Sequence, residues 1–382
     1  MNVLMFHSVG NETGAWNKKW LSVSLKHFEK FCGFLTSGGY QTVHLDEWYR
    51  TEEQKKNRGE KQVVLTFDDG YLDNWVYAYP ILRKYKLKGT VFINPEFIDS
   101  SEAKRFNLND ALSGKCPAAS LQTIGFLNWQ EIKEMQASGT VDIQSHGMSH
   151  NYYFAGAEVV DIYRGQEKYE WLAWLAQPKR KPFYLNEDQS SFTAFGYPIF
   201  RYDRSLSARR YFPDERLVEL AVGLYKEGQG EKDVKMIVKN LNKKLRQYPG
   251  RAESDKEMEK RYRYELSESK NIIEKKLNKK VEFLCWPGGR YNSISIEISK
   301  EAGYKASTVG SSEKYRAPDN SGDYKRVRRI GMSSFINTRS ESYLIETGNF
   351  LIEIFKAKTG NFFYRNLNRT RKLAYIIKGI FK

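Results

Sequence analysis

The run Val63-Val64-Leu65-Thr66-Phe67 limits the possible folds more than any other stretch of this chain. It holds strand formers with no polar alternation, so both of its faces must be covered, as in a buried parallel strand. It empties into Asp68-Asp69-Gly70, where the glycine permits a sharp exit turn. Similar apolar runs recur at 2–6, 41–43, 90–93, 140–144, 282–286, 305–309 and 327–330. Helical stretches separate several of them. Phe28 to Leu35 has helical spacing, and Asn128 with Glu131 forms a capping box for a helix that Gly139 closes. Strands alternating with helices predict a mostly parallel sheet. In an α/β barrel the C-terminal strand ends share one mouth, so residues far apart in sequence converge there.

The strand ends carry the chemistry. Side chains alternate along a strand, so Asp68 and Asp69 can serve different partners, one holding a metal while the other handles a proton. Taken alone, Asp-Asp-Gly reads as an acidic turn with Asp69 as a helix cap. A second strand-like run, Thr140 to Ser145, ends in His146 and His150 beside Gly147. In one helical turn, residues four apart face the same way, so both imidazoles can reach one ion. The chain has only five histidines, so two at this spacing carry weight. With Asp69 they give two nitrogens and one oxygen, the ligand set of a catalytic zinc with an open position.

Together these motifs resemble the polysaccharide deacetylases of carbohydrate esterase family four. Thr66-Phe67-Asp68-Asp69-Gly70 matches the family's first motif completely, and the His-Ser/Thr-x-x-His motif is matched in both histidines, with Gly147 in the Ser/Thr place. The resemblance covers residues 1–150 and about 281–335. It implies Asp68 as catalytic base and Asp69, His146 and His150 as ligands of a divalent metal. Zinc is the first expectation, although nickel, cobalt or iron also suit the set. The family's third motif usually reads Arg-Pro-Pro-Tyr-Gly, whereas this chain has Phe283-Leu284-Cys285-Trp286-Pro287-Gly288-Gly289. By position, the Gly288 N–H replaces that of the family tyrosine as oxyanion donor. The arginine that normally orients the aspartate is missing. Arg328 or Arg329, in another strand-like run, is a candidate substitute, although an arginine pair also reads as a solvated basic face.

The family's last motif supplies a general acid from a Leu-x-His near the C-terminus, but no histidine follows His150. The first strand instead ends in His7. That resembles the circularly permuted branch of the family and implies His7 as the acid. His27, in an amphipathic helix, and His44, beside Asp46 and Glu47, read as ordinary polar residues. Cys32, Cys116 and Cys285 form no paired spacing, so no disulfide framework is expected, and Cys285 reads as a small core residue.

The expected architecture is therefore an irregular (β/α) barrel of the deacetylase type. Residues 1–150 form its first part and 281–340 its remainder. Residues 151–280 form a largely helical insertion beside the mouth, opening with aromatics that could stack on sugars. Residues 341–382 form a basic amphipathic tail. The net charge of +16 is concentrated at this end, where the last 22 residues hold six basic groups and no acidic one. That pattern suggests an anionic membrane surface as partner, with nucleic acid ranked below it. The N-terminus lacks the charged leader and apolar core of a secretory signal, which points to the cytoplasm, peripheral on the inner membrane face. The expected activity is removal of acetyl from an N-acetylated amino sugar, as a lipid- or nucleotide-linked precursor in surface polysaccharide synthesis. A non-catalytic glycan-binding scaffold that keeps the barrel is the alternative.

Overall fold

The computed structural model of the 382-residue chain describes residues 2–13, 16, 18–54, 61–228, 231–309, 325–338 and 341–380. The expected strand runs form one continuous path of hydrogen-bonded neighbours. Its order is Arg326–Arg328, Ala306–Val309, Phe283–Cys285, Val141–Ser145, Gly89–Ile93, Gln62–Phe67, Asn2–Phe6 and Ile330–Gly331. Every neighbouring pair is parallel. The first and last members of the path are consecutive in sequence and separated by Arg329 alone. Val327 pairs with Thr308, and Ile330 pairs with Leu4. The ring thus comes nearly to closure on a single passage of chain interrupted at one residue. Gln41–Thr42 pairs with Gln62 and Val63 at the base of the ring.

Alternation along Gln62–Phe67 explains the burial without a polar face. Val63, Leu65 and Phe67 belong to the core between ring and helices, where Phe6 stacks on Phe67 at 5.3 Å. Val64 belongs to the ring interior with Val3, Phe92, Phe283, Cys285 and Val327, closed below by Leu45, Trp48 and Tyr49. Each such buried side chain contributes roughly 1.5–3 kcal/mol relative to exposure. The Asn128–Glu131 capping box starts the helix Trp129–Ala137 as expected, and Gly139 leaves it with φ +68°.

The region expected as a helical insertion divides in two. It opens with the strand Tyr152–Ile162, paired antiparallel with Pro198–Arg204. The helices Glu215–Glu227 and Glu231–Lys244 follow and share an aromatic-rich core with that hairpin. Its last stretch belongs to the barrel. Asp255 to Leu277 runs as one helix through a π-helical bulge at Tyr264–Glu268, and buries Met258, Tyr262, Leu266 and Ile273 in the barrel core. The tail also begins later than residue 341. Phe350–Lys358 buries Phe350, Leu351 and Phe355, with Phe355 packed on Phe31, Phe34 and Tyr40. Only Phe362–Ile380 has the solvated character expected of the tail.

Candidate active site

The strand that carries Val64 and Thr66 into the ring continues to Asp68, which is 3% exposed. Its backbone N–H donates to Phe6 O at 3.0 Å, and Arg329 binds its carboxylate with both terminal nitrogens, Nη1 to Oδ1 at 2.6 Å and Nη2 to Oδ2 at 2.7 Å. Of the two arginines considered, Arg329 therefore points into the ring, although an arginine pair at a strand end suggests a solvated face. Alternation decides it: Val327 and Arg329 lie on the inner side of a passage that the pair spans. Burial would raise the Asp68 carboxyl, but Arg329, with His146 and His7, holds it below the usual carboxylate range. A paired, ionised carboxylate is the form a base requires.

Cys285 is more than a core residue. It occupies the position of the third motif's arginine, and its Sγ lies 3.1 Å from Arg329 Nη2 and 3.5 Å from Asp68 Oδ2. The guanidinium expected from this strand arrives here from another part of the ring. The sequence left Arg328 and Arg329 as alternatives for this role; the ring selects Arg329, 261 positions from Asp68.

Asp69 lies in the left-handed region, φ +72°, which swings its carboxylate away from Asp68 and towards the histidines. Its Oδ1 is 3.2 Å from His146 Nε2 and 3.4 Å from His150 Nε2. The two imidazoles do not share a helical turn, as their spacing suggested. Residues 146–150 form an irregular loop in which Gly147 has φ +75° and His150 φ +51°. The loop is pinned from behind. Asn94 donates to His146 O at 2.5 Å, and Glu265 accepts from the N–H groups of Met148 at 3.2 Å and Ser149 at 3.0 Å. Buried Lys181 donates to Ser149 O at 3.2 Å and pairs with Glu96.

The donor set fits a divalent ion. His146 Nδ1 donates to Cys285 O at 2.8 Å, which directs Nε2 towards the shared position. On His150 the second nitrogen faces Arg204 Nη1 at 2.9 Å, so Arg204 must turn aside when His150 ligates with Nδ1 protonated. Burial would raise Asp69, but the hydrogen bond from His146 and the charges of His150 and His7 hold it well below its usual range. Burial and Arg204 push His150 well down, whereas Cys285 and Asp69 raise His146 against the effect of burial. A second trio, Asp68, His146 and Cys285, is equally compact, but the Arg329 cation already sits between Asp68 and Cys285. Like charge excludes an ion there.

His7 follows the first strand, with Nε2 3.9 Å from Asp68 Oδ2. Asn74 holds its carbonyl at 2.8 Å. His7, Asp68, Asp69, His146, His150 and Gly288 all line one cavity of about 840 Å³ at the C-terminal strand ends. Gly288 has φ +60°, and a Cβ there would stand 2.8 Å from Arg204 Nε. Trp20, Tyr152, Trp171, Trp174 and Trp286 also line the cavity, so the insertion contributes three of its aromatic walls. Trp20, and Lys18 paired with Glu170 at the rim, belong to no motif legible in the sequence. His27 and His44 stay outside the cavity. His27 is buried against Ser334 Oγ at 2.8 Å, and His44 faces the carbonyls of Gly89 and Gly139 at 3.1 and 3.0 Å.

An ionised aspartate beside an Asp-His-His donor set, at the mouth of a parallel barrel, defines a hydrolase-type site. The family profile of the polysaccharide deacetylases matches residues 55–204 and 245–307, and the chain belongs to that family, whose members hydrolyse carbon–nitrogen bonds other than peptide bonds. The profile passes over 205–244, the stretch that holds the helices Glu215–Glu227 and Glu231–Lys244. The Bacillus subtilis protein YxkH, itself named for this family, is 29% identical over 201 residues, covering 53% of this chain and 57% of YxkH. The Escherichia coli poly-beta-1,6-N-acetyl-D-glucosamine N-deacetylase is 26% identical over 149 residues, 39% of this chain and 21% of that protein. The chain thus spans about half the length of the first of these relatives and a fifth of the second. A de-N-acetylase structure from Aggregatibacter actinomycetemcomitans shares the fold, with a TM-score of 0.52 at 21% identity over 86% of this chain and 93% of that one. The deacetylase domain of BpsB from Bordetella bronchiseptica also has a TM-score of 0.52, at 16% identity, covering 87% of this chain and 95% of that one.

Proposed function

We propose that this protein is a metal-dependent N-deacetylase that hydrolyses the acetamide of an N-acetylated amino sugar. The observation that carries the reading is the separation of labour between adjacent aspartates, Asp68 on Arg329 and Asp69 on the two histidines. Asp69, His146 and His150 would hold the ion, zinc first among those that suit the set. When bound, such an ion supplies Lewis acidity, lowering the pKa of water to about 7 and polarising the acetamide carbonyl. Asp68 removes the proton of the attacking water, and Arg329 keeps that carboxylate ionised until it does so. The Gly288 N–H donates to the developing oxyanion, where a fixed donor contributes more than it would in water. His7 delivers a proton to the departing amine, without which the C–N bond would not break readily. The aromatic wall flanks the sugar rings. His7 on the first strand, beside Asp68, is what supports the permuted arrangement of the acid.

The substrate belongs to the class named for the Escherichia coli relative, N-acetylglucosamine-containing glycans, and we extend it to lipid- or nucleotide-linked precursors on the cytoplasmic side. The scaffold alternative rested on the missing third-motif arginine, and with Arg329 on Asp68 that support is gone. The test is acetate release from N-acetylglucosamine oligomers and from defined lipid- and nucleotide-linked precursors by metal-loaded protein. Asp68→Asn should lower turnover about a hundredfold or more with metal content unchanged. Undiminished release by Asp68→Asn would overturn the assignment of the base.

A further inference from the structure

The helix Phe362–Ile380 exposes five large apolar side chains. Tyr364, Leu367, Asn368, Arg371 and Tyr375 are half-buried at three- and four-residue spacing, which marks the packed face. Arg371 bonds Glu353 at 2.6 Å, and the Tyr375 ring lies 4.9 Å from that of Tyr343. On the side turned from the protein stand Phe362, Phe363, Leu373, Ile376 and Ile377, exposed by 73, 68, 56, 38 and 46%. At 100° per residue they form one stripe about 140° wide and about 22 Å long, interrupted midway by Asn366, Arg369 and Thr370. Exposed Arg365 and Lys372 border one side of it, exposed Arg369 stands within it, and exposed Lys378 borders the other. No carboxylate among the described residues pairs with these four cations.

We propose that this helix docks the protein on an anionic lipid bilayer, lying in its interface with the apolar stripe among the acyl chains. A water-facing helix normally turns its large apolar side chains inward, so five of them exposed on the outward face call for an apolar phase outside the protein. The bordering cations complement acidic headgroups. The same charges oppose a second copy of this chain, because two such stripes face to face would bring eight cations together with no acid between them. The helix does not cross the membrane, since none of the described helices is long and apolar enough. Its second half sits against the antiparallel strands Phe335–Asn337 and Ser342–Leu344, which follow Ile330–Gly331 at the mouth end of the ring. Trp20, on the rim of the cavity, accepts there from Ser333 Oγ at 3.3 Å. Docking would therefore bring lipid alongside the mouth. The proposal stands independently of the reaction assigned to the site.

Co-sedimentation of the full chain with vesicles of phosphatidylcholine, with and without phosphatidylglycerol, tests it. Sedimentation is expected only with the acidic lipid, and it should weaken at high salt as screening shortens. Arg365→Gln/Arg369→Gln/Lys372→Gln should lower the partition coefficient about a hundredfold. Phe363→Ser/Ile377→Ser, at exposed positions, should reduce binding at equal thermal stability. Hydrogen exchange on the unaltered chain gives a second reading, with amides of 362–378 slowed by acidic vesicles. Unchanged binding by the variants, no binding to acidic vesicles, or a lipid-free dimer in light scattering that the same substitutions dissociate would overturn the proposal.

Discussion

At the scale of single residues, the site depends on where one positive charge is placed. Arg329 and Asp68 are both buried and bonded at two points, so removing the arginine leaves a carboxylate in a dry ring. Loss of one partner from such a pair costs about 3–5 kcal/mol. The effect on the base has a definite sign. With Arg329 present the Asp68 carboxyl sits below its usual range; without it, burial acts unopposed and raises the value. In Arg329→Gln the acid limb of the kcat/KM profile should therefore move to higher pH. An unmoved limb would show that the pair does not tune the base. Arg329→Lys should recover only part of the loss, because an ammonium cannot reproduce the two parallel bonds. The motif showed that an arginine was missing and left Arg328 and Arg329 as candidates to replace it. Cys285 stands where the arginine is expected, and only the ring brings Arg329 to it.

At the scale of elements, most of the architecture was legible because ring strands are buried on both faces and read as unbroken apolar runs. Each expected run is a ring strand, displaced by a residue or so at its ends, apart from 41–43, which pairs at the base of the ring, and 327–330, which Arg329 divides between the two ends of the path. The hairpin Tyr152–Ile162 with Pro198–Arg204 was not legible. Its register shifts between Phe154 and Val159, so the two-residue alternation that announces a strand is interrupted. The loop 146–150 was misread for a related reason, since four-residue spacing occurs in loops as well as helices. What fixes that loop is a distant element, the bulge of the Asp255–Leu277 helix, which presents Glu265 to Met148 and Ser149. Glu265→Ala should weaken metal binding about 10–100-fold in calorimetric titration. Glu265→Gln, which keeps an acceptor oxygen, should retain most of the affinity. Equal affinity in both variants and the parent would mean that the bulge does not position His150.

At the scale of the whole molecule, stability and site share their buried charges. Asp73 is 1% exposed and accepts from Asn11 and Asn74 at 2.7 and 2.8 Å, tying the turn after His7 to the body. Burial nevertheless pushes its pKa up from 3.8 to about 7. The folded chain then binds this proton more tightly than the unfolded chain, so stability from this group falls as pH rises between those values. The melting temperature of the parent relative to Asp73→Asn should decline from about pH 4 to 7 and level off above, and a flat difference would refute it. The seam at Arg329 has a further consequence for how the protein comes into being. The ring meets itself through Arg326–Gly331, close to the end of the chain, and the residue between the two pairings is the counter-charge of the base. A nascent chain on the ribosome can therefore hold His7, both aspartates and both histidines while Asp68 still lacks the counter-charge that its burial requires. The oriented, paired form of the base is a product of closure, and opening the seam would return that aspartate to water.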